Sequence, residues 1–123
     1  MKRVLVAGSD VMLREMVAAI LADMPVEVRV VEAVEVAASE CRQGCFDLVV
    51  MTDLAPFFNG SEPVKMLRPD FLHRPELVVF AWQHSEYAVL SLLECGVTQY
   101  VTFPLNVRRV RRKMCDILHC ELR

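Results

Sequence analysis

Two carboxylates and two hydroxyls stand where apolar runs of this chain give way to polar residues, and their order limits the chemistry open to them. Ser9 and Asp10 follow Val4-Leu5-Val6-Ala7-Gly8, while Thr52 and Asp53 follow Leu48-Val49-Val50-Met51. Two further runs, Leu77-Val78-Val79-Phe80-Ala81 and Tyr100-Val101-Thr102-Phe103-Pro104, end without an ionisable group other than the Tyr100 phenol. In an open parallel sheet such ends share one crevice outside the carboxyl edge of the strands. Carboxylates gathered there suit magnesium, which takes an octahedral oxygen shell anchored by one or two carboxylates plus phosphate. Phosphoryl transfer further needs a cation placed against the developing charge. Thr52 as a nucleophile needs an adjacent base. No histidine falls at these ends, since His73 lies in a loop, His84 just after the fourth strand and His119 near the carboxyl terminus.

The five cysteines, Cys41, Cys45, Cys95, Cys115 and Cys120, are an odd set without Cys-x-x-Cys spacing. Cys41 and Cys45 are four apart and His119 adjoins Cys120, but neither pair belongs to a standard zinc spacing. They read as reduced, small hydrophobes, and neither a metal nor a cofactor is expected. The 123 residues are 54% hydrophobic, enough for one domain that buries roughly two-thirds of its unfolded surface. A formal charge of −2 gives no global argument for nucleic acid. No apolar run reaches the ~18 residues a membrane span requires. The apolar stretch at the amino terminus is too short for a signal peptide and reads as a strand. The expected location is the cytoplasm.

Apolar runs of strand length alternate with stretches of helical period, the pattern of a parallel sheet with crossover helices. Strands are expected at about Arg3–Ala7, Val26–Val31, Leu48–Met51, Leu77–Ala81 and Gln99–Thr102. Asp10 can cap a first helix in which Met12, Met16, Val17, Ile20 and Leu21 repeat at helical spacing. Val34–Gln43 forms a second, with Gly44 at its carboxyl end, and Pro63–Leu67 a weak third. Ser85 can cap a fourth through Glu94, stopped by Gly96. The fifth runs from about Asn106 to His119 with Val107, Val110, Met114, Ile117 and Leu118 on one face. Five such units without a nucleotide-type glycine loop predict an α/β, flavodoxin-like, doubly wound sheet of five parallel strands, order 2-1-3-4-5, with five helices. One domain is expected over residues 1–123.

The offsets of these segments resemble the receiver domain of two-component response regulators over nearly the whole chain. In that family the phosphoacceptor aspartate closes the third strand, with a proline four residues on and a glycine eight on. Counting back from Pro56 and from Gly60 gives Thr52 both times. The family's acidic pair, six and five residues before Arg14, is Gly8 and Ser9 here. Its Ser/Thr, fifteen residues before the glycine that ends the fourth helix, is Ala81 (Phe80 if counted from Pro75). Its lysine, before a proline after the fifth strand, is Phe103. The resemblance thus implies a degenerate phosphorylation site at Gly8, Ser9, Thr52, Ala81 and Phe103. Asp53 is a carboxylate one place late, and strand alternation turns it away from the phosphoacceptor position unless a bulge restores it. Phe103 reads as a plug, closing with Phe57 or Phe58 over the emptied pocket, and burying such a ring contributes on the order of 1.5–3 kcal/mol. The resemblance also implies a cis bond before Pro104, and a switch aromatic at Tyr100 that has lost its hydrogen-bond handle.

These residues support a receiver-like module of a two-component or phosphorelay-type pathway, a non-enzyme that acts by protein–protein interaction without phosphorylation. Two alternatives stand beside it: a working phosphoacceptor at the displaced Asp53 (or Asp10), and a small-molecule sensor using the crevice near Gly8, Ser9 and Thr52. The resemblance implies a partner or homodimer face made by the fourth helix, fifth strand and fifth helix. On it Arg108, Arg109, Arg111, Arg112 and Lys113 flank an apolar stripe. Nucleic acid and membrane are not expected partners.

Overall fold

Leucine and β-branched residues uninterrupted by turn formers make the first segment a strand, β1 (Lys2–Ala7), in the computed structural model. The structure describes residues 1–53, 62–68, 74–82 and 85–120. After β1 come α1 (Val11–Ala22), β2 (Val26–Val31), α2 (Val34–Gln43), β3 (Leu48–Met51), α3 (Glu62–Leu67), β4 (Glu76–Trp82), α4 (Glu86–Glu94), β5 (Gln99–Phe103) and α5 (Val107–Leu118). The five strands are all parallel, in the order β2-β1-β3-β4-β5. The expected flavodoxin-like fold is therefore the observed one.

Helices cover both faces of the sheet. Val4, Val6, Leu48, Val50, Val78, Phe80, Val101 and Phe103 pack with α1 and α5. Leu5, Ala7, Val49, Met51, Leu77, Val79 and Ala81 pack with residues of α2, α3 and α4. Burial on two sides explains why the interior strands are apolar without alternation. At the edge, β2 turns Glu27 and Arg29 outward. Arg29 pairs with Glu40 at 2.7 Å and Arg3 with Glu27 at 3.9 Å, and such charges keep an open strand edge from adding another strand.

The helix ends follow the side chains expected to cap them. Asp10, Ser85 and Asn106 accept from the backbone N–H of Leu13, Ala88 and Arg109. Gly96, at φ 105°, holds the left-handed turn after α4, a conformation that costs glycine little. Gly44 is extended instead (φ −139°), a conformation open to any residue. The apolar face of α1 differs from expectation. Val17, Ile20 and Leu21 are buried, whereas Met12 and Met16 face outward. The helix meets the sheet along the 17-20-21-24 line, and the two methionines fall beyond it. Val107 likewise faces outward at the start of α5. Pro56, Phe57, Phe58, Gly60, His73 and His84 lie outside the described residues.

Candidate functional site at the carboxyl rim of the sheet

The ends of β1 and β3 lie side by side, with Ala7 paired to Met51 and the Thr52 N–H donating to Ala7 O at 2.9 Å. This register sets Thr52 against Gly8. Thr52 is buried, and its hydroxyl lies 3.5 Å from Ala7 O. A β-carbon placed on Gly8 would come within 1.8 Å of Thr52 Oγ1, far inside van der Waals contact. The side chain of Thr52 therefore occupies the space in which any side chain at position 8 would have to begin. Glycine at position 8 is compatible with the place Thr52 takes.

Asp53 sits just past the ladder, where alternation no longer governs direction. Its carboxylate accepts from the Ser9 N–H at 3.0 Å and the Ser9 hydroxyl at 3.0 Å. Strand alternation predicts a side chain turned away, yet the chain brings this carboxylate to the rim, and the β1–β3 register runs regularly as far as Met51. There it ties the loop after β1 to the end of β3. Asp10 does not join it, because its side chain accepts from Leu13 N–H as the α1 cap. Arg14, from the first turns of α1, reaches back to donate to Gly8 O at 2.9 Å. The two acids thus serve two different backbone segments, and the nearby cation serves a carbonyl. Among the described residues no group of three or more His, Cys, Asp or Glu side chains is placed to hold a metal ion.

On the other side of the rim the surroundings are aromatic. Phe103 is 5% exposed, with its ring 6.4 Å from Phe80 and 5.3 Å from Trp82 between centroids, distances typical of tilted ring contacts. Trp82 pairs with Phe103 across β4 and β5 and is itself 59% exposed, so it lies over Phe103 as an outer cover. It was not anticipated from the sequence, although its place two residues after Phe80 on one strand puts both rings on the same face. Ala81 is buried on the opposite face. The Phe103–Pro104 peptide bond is cis. Tyr100 packs partly against the α2/α3/α4 layer and donates its hydroxyl to Trp82 O at 2.7 Å. Its burial raises the phenol above its usual range. A main-chain carbonyl thus holds the ring where no Ser/Thr hydroxyl is present at position 81.

The cationic residues of α5 divide. Arg111 turns to α1, donating to Ile20 O at 3.2 Å and pairing with Asp23. Arg108, Arg109 and Arg112 are exposed and Lys113 half-buried. On α4, Tyr87 is 81% and Leu90 57% exposed, and Leu93 also faces outward.

No family model matches the chain, and no curated protein matches it in sequence. Its fold is that of solved receiver domains. The chemotaxis protein CheY4 of Vibrio cholerae superposes with a TM-score of 0.80 at 20% identity, covering 96% of this chain and 99% of that one. A two-component response regulator from Clostridium difficile gives 0.80 at 18%, covering 97% of each. The BeF3-activated receiver domain of DrrB gives 0.80 at 20%, covering 97% and 98%. The chain has the CheY-like receiver fold over nearly its whole length.

Proposed function

We propose that this chain is a receiver-like signalling module of a two-component or phosphorelay-type pathway that works without phosphorylation, through contact with a protein partner or a second copy of itself. The observation that carries this reading is the packing of Thr52 into the space beside Gly8. A carboxylate at position 8 and a phosphoacceptor at position 52 are both replaced, and the replacements interlock. Phe103 adds an apolar ring where a phosphoryl group would call for a cation, and removing a cation from such a site costs its main source of catalysis. On this reading the partner face is formed by α4, β5 and α5. Supporting it there are the outward Tyr87, Leu90 and Leu93 of α4 and the exposed Arg109 of α5. Tyrosine and arginine are among the residue types enriched in binding hot spots. Incubation with acetyl phosphate and magnesium, followed by intact-mass measurement, is expected to leave the mass unchanged. Beryllofluoride with magnesium is expected to leave the amide spectrum of the rim unchanged. A stable phosphoryl adduct on Asp53 would overturn the proposal.

One observation favours the alternative of a displaced phosphoacceptor: the Asp53 carboxylate does reach the rim, within 3.0 Å of Ser9 N and Oγ. Under that reading Asp53→Asn removes any phosphotransfer while leaving the fold intact. Under the leading one it changes neither phosphotransfer nor partner binding.

A further inference from the structure

The carboxyl end of α5 closes through a left-handed residue. His119 has φ 56° and ψ 42°, and its N–H donates to Cys115 O. The next N–H, that of Cys120, donates to the same carbonyl at 3.2 Å. A six-to-one bond of this kind is a Schellman closure, which ordinarily brings an apolar side chain just past the helix against one in its last turns. Here both positions are cysteine. The Cys120 thiol donates to Cys115 Sγ at 3.4 Å. Cys115 is buried in the α1/α5 layer, and Cys120 is half-buried at its margin. Among the described residues no other two thiols are hydrogen-bonded to one another. Neither cysteine takes part in the rim or in the proposed partner face.

We propose that Cys115 and Cys120 form an oxidisable dithiol, which a hydroperoxide converts into an intramolecular disulfide. Cys120, as a thiolate, attacks a peroxide oxygen. The S–O bond forms, the O–O bond breaks, and the departing hydroxide or alkoxide takes up a proton. Cys115 then attacks the sulfenic sulfur. The S–S bond forms, the S–O bond breaks, and hydroxide leaves with the thiol's proton as water. Two thiols lose two hydrogens, and the peroxide is reduced to water plus water or an alcohol. Exposure assigns the order of attack, since Cys120 meets solvent and Cys115 stands behind it. Burial raises Cys115 above the usual thiol range, which disfavours it as the first nucleophile. The sulfurs must close from 3.4 Å to about 2.05 Å. Cys120 lies beyond the last helical residue, so closure need not break the helical bonds of α5.

The reduced chain is treated with hydrogen peroxide, alkylated and cleaved after lysine and arginine. Both thiols fall in one peptide, residues 114–123, and Cys45, which is exposed, is the internal control. Expected is a 114–123 peptide that lacks two hydrogens and carries no alkyl group. In Cys115→Ser, dimedone is expected to capture Cys120 as its sulfenic acid. A 114–123 peptide that keeps both alkyl groups after Cys45 has been consumed overturns the proposal. So does a disulfide joining Cys115 or Cys120 to another cysteine in place of each other. Because the unmodified chain supplies the main readout, poor folding of a variant does not obscure the result.

Discussion

At position 8 a β-carbon would lie 1.8 Å from Thr52 Oγ1 and 3.1 Å from its Cβ, so a side chain at position 8 is expected to be coupled to the residue at position 52. Gly8→Ala is expected to destabilise the fold by about 1–3 kcal/mol, the usual cost of overpacking. In a Thr52→Ala background much of that cost should disappear, leaving a coupling of at least ~0.5 kcal/mol between the two sites. Urea unfolding of the four chains in the cycle measures it, and strictly additive effects would remove the interlock. Phe103 poses the complementary question. Phe103→Lys takes a ring out of contact with Phe80 and Trp82 and sets an ammonium in its place. A loss of on the order of 2–4 kcal/mol is expected from lost burial and desolvated charge, with no gain of phosphorylation by acetyl phosphate.

Between elements, Arg68, just after α3, makes a three-acceptor polar tie. Its guanidinium donates to Pro75 O and Gly96 O, each at 2.9 Å, and to Thr98 Oγ1 at 3.4 Å. Thr98 in turn donates to Glu76 at 2.6 Å and accepts from Leu77 N–H. One planar fork thus joins the approach to β4 with the turn between α4 and β5. Arg68→Ala should cost about 2–3 kcal/mol by leaving partly buried carbonyls without donors. Arg68→Lys should recover little, since an ammonium cannot span three divergent acceptors. Denaturant midpoints of the two variants test this, and a lysine variant as stable as the parent would count against it. Arg68 was invisible in the sequence because its acceptors are mostly main-chain atoms of distant segments. The strands and caps were legible because their signals are local: apolar runs, and Asp10, Ser85 or Asn106 just before a helical period. Met12 and Met16 misled for the same reason. Helical spacing reveals a repeat, but only the docked sheet decides where the buried stripe ends. At the rim, the family offsets drew attention to Gly8, Thr52 and Phe103 as positions. The closing of Asp53 onto Ser9 depended on the path of the chain after β3, which no pattern of residue types encodes.

Across the whole molecule, acid and alkali should act unequally. Desolvation, with the adjacent Glu40 carboxylate, pushes the Cys41 thiol from 9.0 to about 11, and burial also raises Cys115 and Tyr100. A thiol or phenol whose native pKa is raised holds its proton more tightly when folded. Its stabilising contribution is complete below the unfolded pKa and is lost as pH climbs through the native one. For Cys41 that window runs from about pH 9 to about pH 11. Thermal unfolding followed across this window should show a falling midpoint in the parent chain. Cys41→Ala should fall less steeply, and an unchanged slope would mean that Cys41 does not contribute.

The interlock at the rim also dictates an order of events for anyone restoring acidity there. A carboxylate introduced first at position 8 meets an occupied volume, whereas trimming the hydroxyl at position 52 beforehand removes the 1.8 Å contact. Of the two sequential routes to an acidic rim, one therefore begins against that contact and the other does not. A library that varies a single site at a time will sample the blocked route and record the position as intolerant.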